Sequence, residues 1–413
     1  MNRQVITVIL AGGAGTRLDP LTRDRAKPAV PFCGIYRIID FSLANCFNSF
    51  FRRILVLAQY APASLVHHVE REWLPLFRGP GDSLIPVSPT HRSLGEKEFS
   101  STANAVFQNW DRIASKKYHA KDILILSGDH VYTMAYGSFL EWHRAQQSAF
   151  TMCVTTVPIE VAANELGVLR VNEQNEVVEM VEKPSLENVP CIPGQPDVCL
   201  VSMGIYAGNI EQLGKILAAD ALDTTSSHDF GKDIIRKIID AKLPIYAYPY
   251  TLNEMSGPWW DVGRIRSYYE VSTSMLERVP RIDLGNPDWP IGACMPSARI
   301  FGSSFDHVSI APGVCVDDVS SISWSSVGYG VQVRKGAVLH GCHIFGGTED
   351  GITEIGEYAN LNRVICDKDV HIPPYTVIGF DRDKDAHWFR IEPLDNGEWV
   401  TVIPKGYDFC KRL

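Results

Sequence analysis

The stretch "VITVILAGGAGTRLDPLTRDRAKPAVPF", residues 5–32, joins an apolar run to a glycine cluster and then to four cations between positions 17 and 27. The apolar run predicts a buried strand. In open sheets of parallel strands, ligands bind beyond the carboxyl ends of the strands. The stretch therefore predicts an α/β domain with an anion site after its first strand, or else a tight turn with solvated basic residues.

Spacing excludes the two common phosphate loops at this position. A dinucleotide-binding fingerprint needs Gly or Ala three residues after Gly15, where Leu18 stands. A P-loop needs Gly-Lys-Ser/Thr after its spacer, and the stretch has none. Glycines without a Cβ still leave backbone amides open to phosphate oxygens. Arg17 and Lys27 would add charge-assisted donors to a polyphosphate.

The composition is typical of a soluble protein with more than one domain. The chain has 413 residues, of which 45% are hydrophobic and 21% charged, so two or three domains are expected. A net charge of -9 argues against a nucleic-acid partner. Ten cysteines without a CxxC pair predict reduced thiols rather than disulfides. With no secretory leader and no apolar stretch of about 18 residues, we expect a cytoplasmic protein without a membrane partner.

The first and longer part of the chain alternates apolar runs with helix-like stretches. Over residues 1–276 this pattern predicts a sheet covered by helices. Strands are expected at "VITVILAG", "RILVLAQ", "DILILSGD" and "TMCVTTVP", and helices over residues 136–147 and 228–242. Residues 277–298 hold four prolines and little periodicity, which predicts a linker.

From residue 299 to 413, small and β-branched residues recur about every six positions, as at Val316, Ile322 and Val327. A period of six with regular glycines predicts a parallel β-helix in which each short strand turns one apolar residue inward. The segment "FGGTEDGITEIG", residues 345–356, interrupts the period and is predicted to loop out. An irregular β-sandwich is the alternative.

Several longer motifs follow one another in an order that resembles one enzyme family. After "LAGGAGTRLDPLTRDRAKPAVPF" come "YRIIDFSLANC", "VLAQY", "ILSGDHVY", "VEKP", "SMGIY", "SHDFGKDII" and "WWDVG". Together they resemble the sugar-nucleotide pyrophosphorylases, most closely the ADP-glucose pyrophosphorylase branch. The resemblance implies a Rossmann-like mixed-sheet nucleotidyltransferase domain followed by a left-handed parallel β-helix. It also implies transfer of the adenylyl group of ATP to glucose 1-phosphate for glycogen or α-glucan synthesis.

The resemblance carries a set of site residues. Those implied for the nucleotide are Leu10, Ala11, Gly12, Gly13, Gly15, Thr16, Arg17, Gln59, Ser101, Thr102, Gly128 and Asp129. Those implied for the sugar phosphate are Gly167, Glu182, Lys183, Ser202, Gly204, Asp229 and Asp261.

Among these residues, the resemblance assigns catalysis to Arg17, Asp129 and Lys183. Asp129 and Asp261 are the implied ligands of Mg²⁺, which prefers one or two carboxylates together with phosphate oxygens. Taken alone, an aspartate at either position is more often a helix cap or a turn residue.

Regulation and assembly are also implied. Members of the family are typically homotetramers controlled by small metabolites that bind between the two domains. Arg25, Lys27 and Arg37 match positions of anion contacts for such effectors, although surface ion pairs are an equal alternative. Arg25 and Lys27 are also placed where they could serve the substrate.

Three positions depart from the pattern of the family. Ser101 replaces a glycine, Asn104 an aspartate and Arg264 a threonine. They leave two alternatives open: a pyrophosphorylase for another sugar nucleotide, and a weakly active or inactive regulatory subunit. The metal aspartates and the sugar lysine are retained, which favours activity.

Overall fold

The computed structural model describes residues 4–33, 35–89, 99–252, 255–275, 277, 279–292, 296–346, 352–394 and 397–412. The chain divides into two compact units, Met1–Ala293 and Cys294–Leu413. The bounds predicted for the two domains and for the linker at 277–298 stay predictions. No helix of the described residues is long and apolar enough to cross a membrane.

The first unit is built on the alternation that the sequence shows. Its strands are β1 (Val5–Ala11), β2 (Pro31–Phe32), β3 (Tyr36–Arg37), β4 (Arg53–Ala58), β5 (Ser83–Val87), β6 (Asp122–Ser127), β7 (His130–Tyr132), β8 (Phe150–Pro158), β9 (Gly167–Val171), β10 (Val177–Glu182), β11 (Val198–Asn209), β12 (Ile245–Pro249), β13 (Thr251–Leu252), β14 (Met255–Ser256) and β15 (Trp259–Asp261). Its helices are α1 (Ile39–Asn48), α2 (Pro62–His68), α3 (Thr102–Gln108), α4 (Trp110–Ile113), α5 (Tyr136–Ala145), α6 (Ile159–Ala162), α7 (Ile210–Ala221), α8 (Ile235–Asp240) and α9 (Ile265–Ser274).

A mixed sheet of nine described strands forms the centre of this unit, in the order β10-β9-β11-β6-β1-β4-β5, with β8 on β11 and β12 on β8. The strands β5, β4, β1 and β6 run parallel, and β11 is antiparallel to β6. Two apolar clusters cover its two faces, one containing Ile9 and Val56 and the other Val8 and Leu57. Burial on both faces explains why these strands read as continuous apolar runs. The prediction of a mixed α/β sheet is confirmed.

The second unit is a parallel β-helix, also as predicted. Its strands are β16 (Arg299–Ile300), β17 (Ser304–Asp306), β18 (Ser309–Ile310), β19 (Cys315–Val316), β20 (Ser321–Ser323), β21 (Ser326–Val327), β22 (Gln332–Val333), β23 (Val338–His340), β24 (His343–Ile344), β25 (Glu354–Ile355), β26 (Asn360–Asn362), β27 (Val364–Cys366), β28 (His371–Ile372), β29 (Val377–Ile378), β30 (Arg390–Pro393) and β31 (Trp399–Ile403), with one helix α10 (Arg382–Ala386) in the described part. They make three sheets whose neighbours are parallel, except for the β30–β31 hairpin, so the β-sandwich alternative is wrong.

Most coils of the β-helix advance the chain by 17 residues, as in the pairing of Ser304 with Ser321. The predicted inward residues Val316, Ile322 and Val327 are at most 2% exposed. One coil is longer, since Gln332 pairs with Glu354. The predicted loop-out over 345–356 falls in this coil, but its residues 347–351 lie outside the described part of the chain.

Candidate active site

The glycine loop after β1 forms one wall of a pocket. Gly15 has a φ of 64° and precedes a short helix over Thr16–Leu18. A Cβ on Gly15 would lie 2.8 Å from the Lys27 Cβ, so both the turn and the close approach require glycine. A Cβ on Gly13 would meet nothing within 4 Å, because that residue borders open space. The loop therefore combines a fixed turn with an accessible backbone.

The pocket has a volume of about 290 Å³. It lies between the glycine loop, the end of β6 and the start of α3. Seven of the residues predicted to bind the nucleotide line this pocket. They are Leu10, Gly12, Gly13, Gln59, Ser101, Thr102 and Asp129. Leu57, Phe99 and Ala105 add an apolar wall suited to a flat ring.

The orientation of the Gln59 amide is fixed by one hydrogen bond. Its Nε2 donates to the Phe99 carbonyl oxygen over 2.6 Å. A carbonyl oxygen only accepts, so this bond assigns the nitrogen and leaves Oε1 as an acceptor. An acceptor at the pocket wall suits a base that carries an exocyclic amino group.

Lys27 lies between the two aspartates predicted to bind a cation. Its Nζ is 3.0 Å from Asp129 Oδ2 and 2.5 Å from Asp261 Oδ1. The lysine is buried, with 5% of its surface exposed. The sequence separates Lys27 from Asp261 by 234 residues. The fold brings them together because Asp261 on β15 pairs in register with His130, the residue after Asp129.

Charge compensation holds Lys27 and Asp129 ionised. Burial opposes the charge on Lys27, but the Asp129 and Asp261 carboxylates keep its pKa above the usual value. Burial would also raise the pKa of Asp129, yet the Lys27 ammonium and the His130 ring lower it to about 2. Asp129 is therefore a carboxylate at neutral pH and can act as a cation ligand.

His130 borders the same centre. Its Nδ1 is 3.1 Å from the Met203 carbonyl oxygen, which can only accept, so Nδ1 carries the proton. Its Nε2 is 3.6 Å from Asp129 Oδ1. Asp129, His130 and Asp261 each offer a ligand atom within 4.8 Å of the others, so these three residues could hold a metal ion.

The motif "SMGIY" places a bulge of β11 against this centre. The register of β11 on β8 shifts between Ser202 and Tyr206. Gly204 has a φ of 66°, and a Cβ there would lie 2.8 Å from Ser127 Oγ. The Ser202 hydroxyl accepts from the Gly204 N–H over 3.2 Å and lies 3.2 Å from the Tyr206 hydroxyl. In this structure Ser202 therefore stabilises the bulge.

Glu182 lies in a cradle made by two glycines. A Cβ on Gly167 would come within 2.8 Å of Glu182 Oε2, and one on Gly231 within 2.6 Å. Burial raises the pKa of Glu182; the Lys183 ammonium opposes this shift and the Asp229 carboxylate adds to it. The carboxyl group is thus largely removed from water and faces two glycines, as suits a group that binds sugar hydroxyls.

Lys183 follows β10 and extends toward solvent. Its backbone φ is 50°, and its N–H donates to the Leu166 carbonyl oxygen over 3.1 Å. Its Nζ is 3.7 Å from Glu182 Oε1, and 52% of the side chain is exposed. An exposed ammonium next to the Glu182 cradle is available to an anionic substrate.

The hydroxyls of Thr102 and Ser101 join the nucleotide side to the sugar side. The Thr102 hydroxyl donates to Asp229 Oδ2 over 2.9 Å, and Asp229 Oδ1 caps the turn that follows by accepting from Gly231 N and Lys232 N. The Ser101 hydroxyl donates to the His228 carbonyl oxygen. Ser101 is therefore bound to the sugar-side segment instead of standing free in the pocket.

Comparison with known proteins agrees with this geometry. A family model for nucleotidyl transferases matches residues 6–278, and one for the GlmU-like C-terminal hexapeptide matches residues 296–401. Glucose-1-phosphate adenylyltransferase 2 of Vibrio cholerae serotype O1 is 39% identical, with 98% of this chain and 99% of the relative covered. Glucose-1-phosphate adenylyltransferase of Rhodopirellula baltica is 38% identical, with 98% and 89% covered.

The chain belongs to the nucleotidyl transferase family, among the glucose-1-phosphate adenylyltransferases. Glucose-1-phosphate adenylyltransferase 2 of Vibrio vulnificus, 40% identical with 98% of this chain and all of the relative covered, is a further member. The predicted resemblance and the prediction of a nucleotidyltransferase are confirmed.

The three residues predicted to bind effectors fall into two places in the structure, with Lys27 in one and Arg25 and Arg37 in the other. Lys27 lies between Asp129 and Asp261, which favours the substrate alternative for this residue. Arg37 donates through Nη1 to the backbone oxygen and the hydroxyl of Ser64, both over 2.8 Å. Burial lowers the pKa of Arg37; the Asp40 carboxylate opposes this and the positive charge of Arg25 adds to it, so Arg25 and Arg37 are neighbours. Their effector role stays a prediction.

Sequence reasoning missed one charged residue at the site. Glu165 accepts hydrogen bonds from Arg17 and Arg264, which lie 148 and 99 residues away in the chain. Its position two residues before Gly167 was the only available signal, and a glutamate there is also consistent with a solvated loop.

Proposed function

We propose that this protein transfers the adenylyl group of ATP to α-D-glucose 1-phosphate, giving ADP-glucose and pyrophosphate for glycogen or α-glucan synthesis. The observation that carries the proposal is the Asp129–Lys27–Asp261 cluster, whose Asp129 also lines the base-sized pocket. The names of the relatives support the same reaction.

In this reaction a phosphate oxygen of glucose 1-phosphate attacks the α-phosphorus of ATP. The bond from that phosphorus to the bridging oxygen breaks, and pyrophosphate leaves with the electron pair. The protein forms no covalent bond, so its task is to align two anions and to compensate their charge. We assign alignment of the triphosphate to the glycine loop and Arg17, and of the sugar phosphate to Lys183.

Asp129 and Asp261 would hold Mg²⁺. The donor set fits this ion, since both groups offer carboxylate oxygens and Asp129 is ionised at neutral pH. Bound there with phosphate oxygens, Mg²⁺ supplies charge compensation for the leaving pyrophosphate. Lys27 contacts both carboxylates and limits their mutual repulsion, so Asp129 and Asp261 stay close together before substrates bind.

The choice of adenine is supported by Gln59. With Nε2 bound to Phe99, its Oε1 can accept from the exocyclic amino group of adenine, whereas guanine and uracil present a carbonyl oxygen at the equivalent ring position. Homotetramer assembly, metabolite effectors and the cytoplasmic location are proposed on the same family likeness.

The decisive experiment is a pyrophosphate-release assay with glucose 1-phosphate and each of ATP, GTP, UTP and CTP, with and without a panel of sugar phosphates. We expect ATP to be preferred at least about tenfold over GTP and UTP. Preference for another nucleotide or sugar would indicate a different pyrophosphorylase, and absence of turnover under all conditions would indicate a regulatory subunit.

Lys183→Gln tests the sugar end of the proposal. We expect the KM for glucose 1-phosphate to rise about 10- to 100-fold with little change in the KM for ATP, because one charge-assisted contact to the sugar phosphate is lost. Lys215→Gln is a matched control, since Lys215 is 73% exposed and pairs with Glu211 on α7. Equal rises in both KM values would remove Lys183 from the sugar site.

A further inference from the structure

A single carboxylate ties together three segments of the candidate site. Glu165 accepts from Arg17 Nη1 through Oε2, and from Arg264 through Oε1, where the Nε contact is 2.9 Å. Arg17 belongs to the turn after the glycine loop, Glu165 to the approach to Gly167, and Arg264 to the segment after Asp261. Glu165 therefore has two cations on one side chain.

The Arg17 guanidinium lies beside the cation centre. A Cβ on Gly263 would come within 3.3 Å of Arg17 Nη2 and within 3.0 Å of Asp261 Oδ1. A side chain at 263 would press on both groups, so Arg17 and Asp261 approach the same face of Gly263. Arg17 Nη2 thus reaches the place where a triphosphate would be held. The other amino group of the guanidinium, Nη1, is bound to Glu165.

This arrangement raises a conflict for the reaction. To bind phosphate oxygens with its whole fork, Arg17 must give up its bond to Glu165. The Glu165 side chain is only 20% exposed, so leaving it without a partner would oppose nucleotide binding. Arg264 removes the conflict because it already contacts Glu165 with both Nε and Nη2.

We propose that Arg264 is a positioning residue that keeps Glu165 neutralised, so that Arg17 can move from Glu165 to the triphosphate. This inference rests on the proposed function, since it takes Arg17 as a triphosphate ligand. It also gives a role to Arg264, one of the positions at which this chain departs from the family pattern. Direct contact of Arg264 with the triphosphate is the competing explanation.

A cycle of variants separates the two explanations. The variants are Arg264→Thr, Glu165→Gln and the double variant, and the measurements are MgATP binding by calorimetry without sugar and the KM of each substrate. We expect Arg264→Thr to weaken MgATP binding about three- to tenfold, with the KM for glucose 1-phosphate unchanged. Adding Glu165→Gln should restore binding to within about twofold, because no carboxylate then competes for Arg17.

Controls exclude a general loss of structure. Arg264→Lys keeps the charge and should retain most of the MgATP affinity. Arg266→Thr removes an arginine of α9 that is 87% exposed and pairs with Glu270, and it should change nothing.

The proposal is overturned if Arg264→Thr binds MgATP like the unaltered protein, or if Glu165→Gln fails to rescue it. The second result would indicate that Arg264 contacts the triphosphate itself. If another nucleotide supports turnover, the proposed substrate fails, and the same cycle run with that nucleotide still tests Arg264, because all these nucleotides share the triphosphate.

Discussion

At the scale of single residues, the candidate site depends on ionised groups that compensate one another. Lys27 with Asp129 and Asp261 is the clearest case, since a buried ammonium is acceptable only beside its two carboxylates. Glu182 is the opposite case, because burial there favours the neutral acid. We therefore expect Asp129 and Glu182 to respond differently to substitution and to pH.

Asp129→Asn removes a proposed cation ligand while keeping the size of the side chain. We expect kcat for pyrophosphate release to fall about 10²- to 10⁴-fold, since charge compensation of the leaving group is lost. Circular dichroism should show an unchanged fold. Asp240→Asn is the control, because Asp240 is 70% exposed on α8. Near-normal turnover of the Asp129 variant would contradict the metal assignment.

Glu182→Gln tests the raised pKa of this carboxyl group. Because the folded pKa lies above the unfolded one, the folded protein binds the proton more tightly, and the free energy of unfolding falls as pH rises through that window. We expect the variant to raise the melting temperature at pH 7 more than at pH 4. Glu211→Gln should not do so, since Lys215 lowers the pKa of Glu211. A larger gain at pH 4 would rule out this explanation.

At the scale of elements, the start of α3 is clamped to the segment before α8. The His228 carbonyl oxygen accepts from the Ala103 and Asn104 N–H groups as well as from the Ser101 hydroxyl. The Phe230 N–H donates to the Thr102 hydroxyl over 3.0 Å. A wall of the nucleotide pocket and the cap residue of the sugar side, Asp229, are thereby held as one piece.

Ser101→Ala should loosen this clamp without changing the backbone preference of the residue. We expect faster amide hydrogen exchange over residues 228–232 and a KM for glucose 1-phosphate about two- to tenfold higher, as one hydrogen bond is lost. Ser115→Ala, in an exposed turn where the hydroxyl accepts from Lys117 N over 3.4 Å, is the control. Exchange that is unchanged in the Ser101 variant would show that its hydroxyl does not hold the segment.

At the scale of the whole molecule, the two units differ in how far apart in sequence their packed strands lie. The first unit joins strands distant in sequence, as where β11 lies between β6 and β8. The second repeats one coil, so each coil packs mainly on the next, and its core is a column of single inward side chains. A defect in one coil should therefore weaken its neighbours on both sides.

Leu339→Ala places such a defect in the middle of the column. Leu339 is fully buried on β23 between Ile322 and Leu361, so we expect unfolding of this unit to become easier by about 2–5 kcal/mol. The adjacent Val338, which is 38% exposed on the same strand, provides the control Val338→Ala. Denaturant unfolding measures both. Equal effects would contradict the inward packing of Leu339.

The sequence by itself determined the features that depend on local pattern. Apolar runs before loops predicted β1, β4, β6 and β8, and the period of six predicted the β-helix, because side-chain spacing reflects which face is buried. The glycine loop, "GDH", "VEKP" and "WWDVG" predicted the family. These signals lie within short stretches of chain and need no knowledge of distant contacts.

Only the tertiary structure decided how the charges of the site combine. Lys27 contacts Asp261, which is 234 residues away in the chain. The Ser101 hydroxyl donates to the His228 backbone, and Glu165 accepts from both Arg17 and Arg264. The physical reason is that an ion pair or hydrogen bond depends on distances of a few ångströms between side chains. Those distances are set by strand order and loop packing, which the local spacing of residues does not predict.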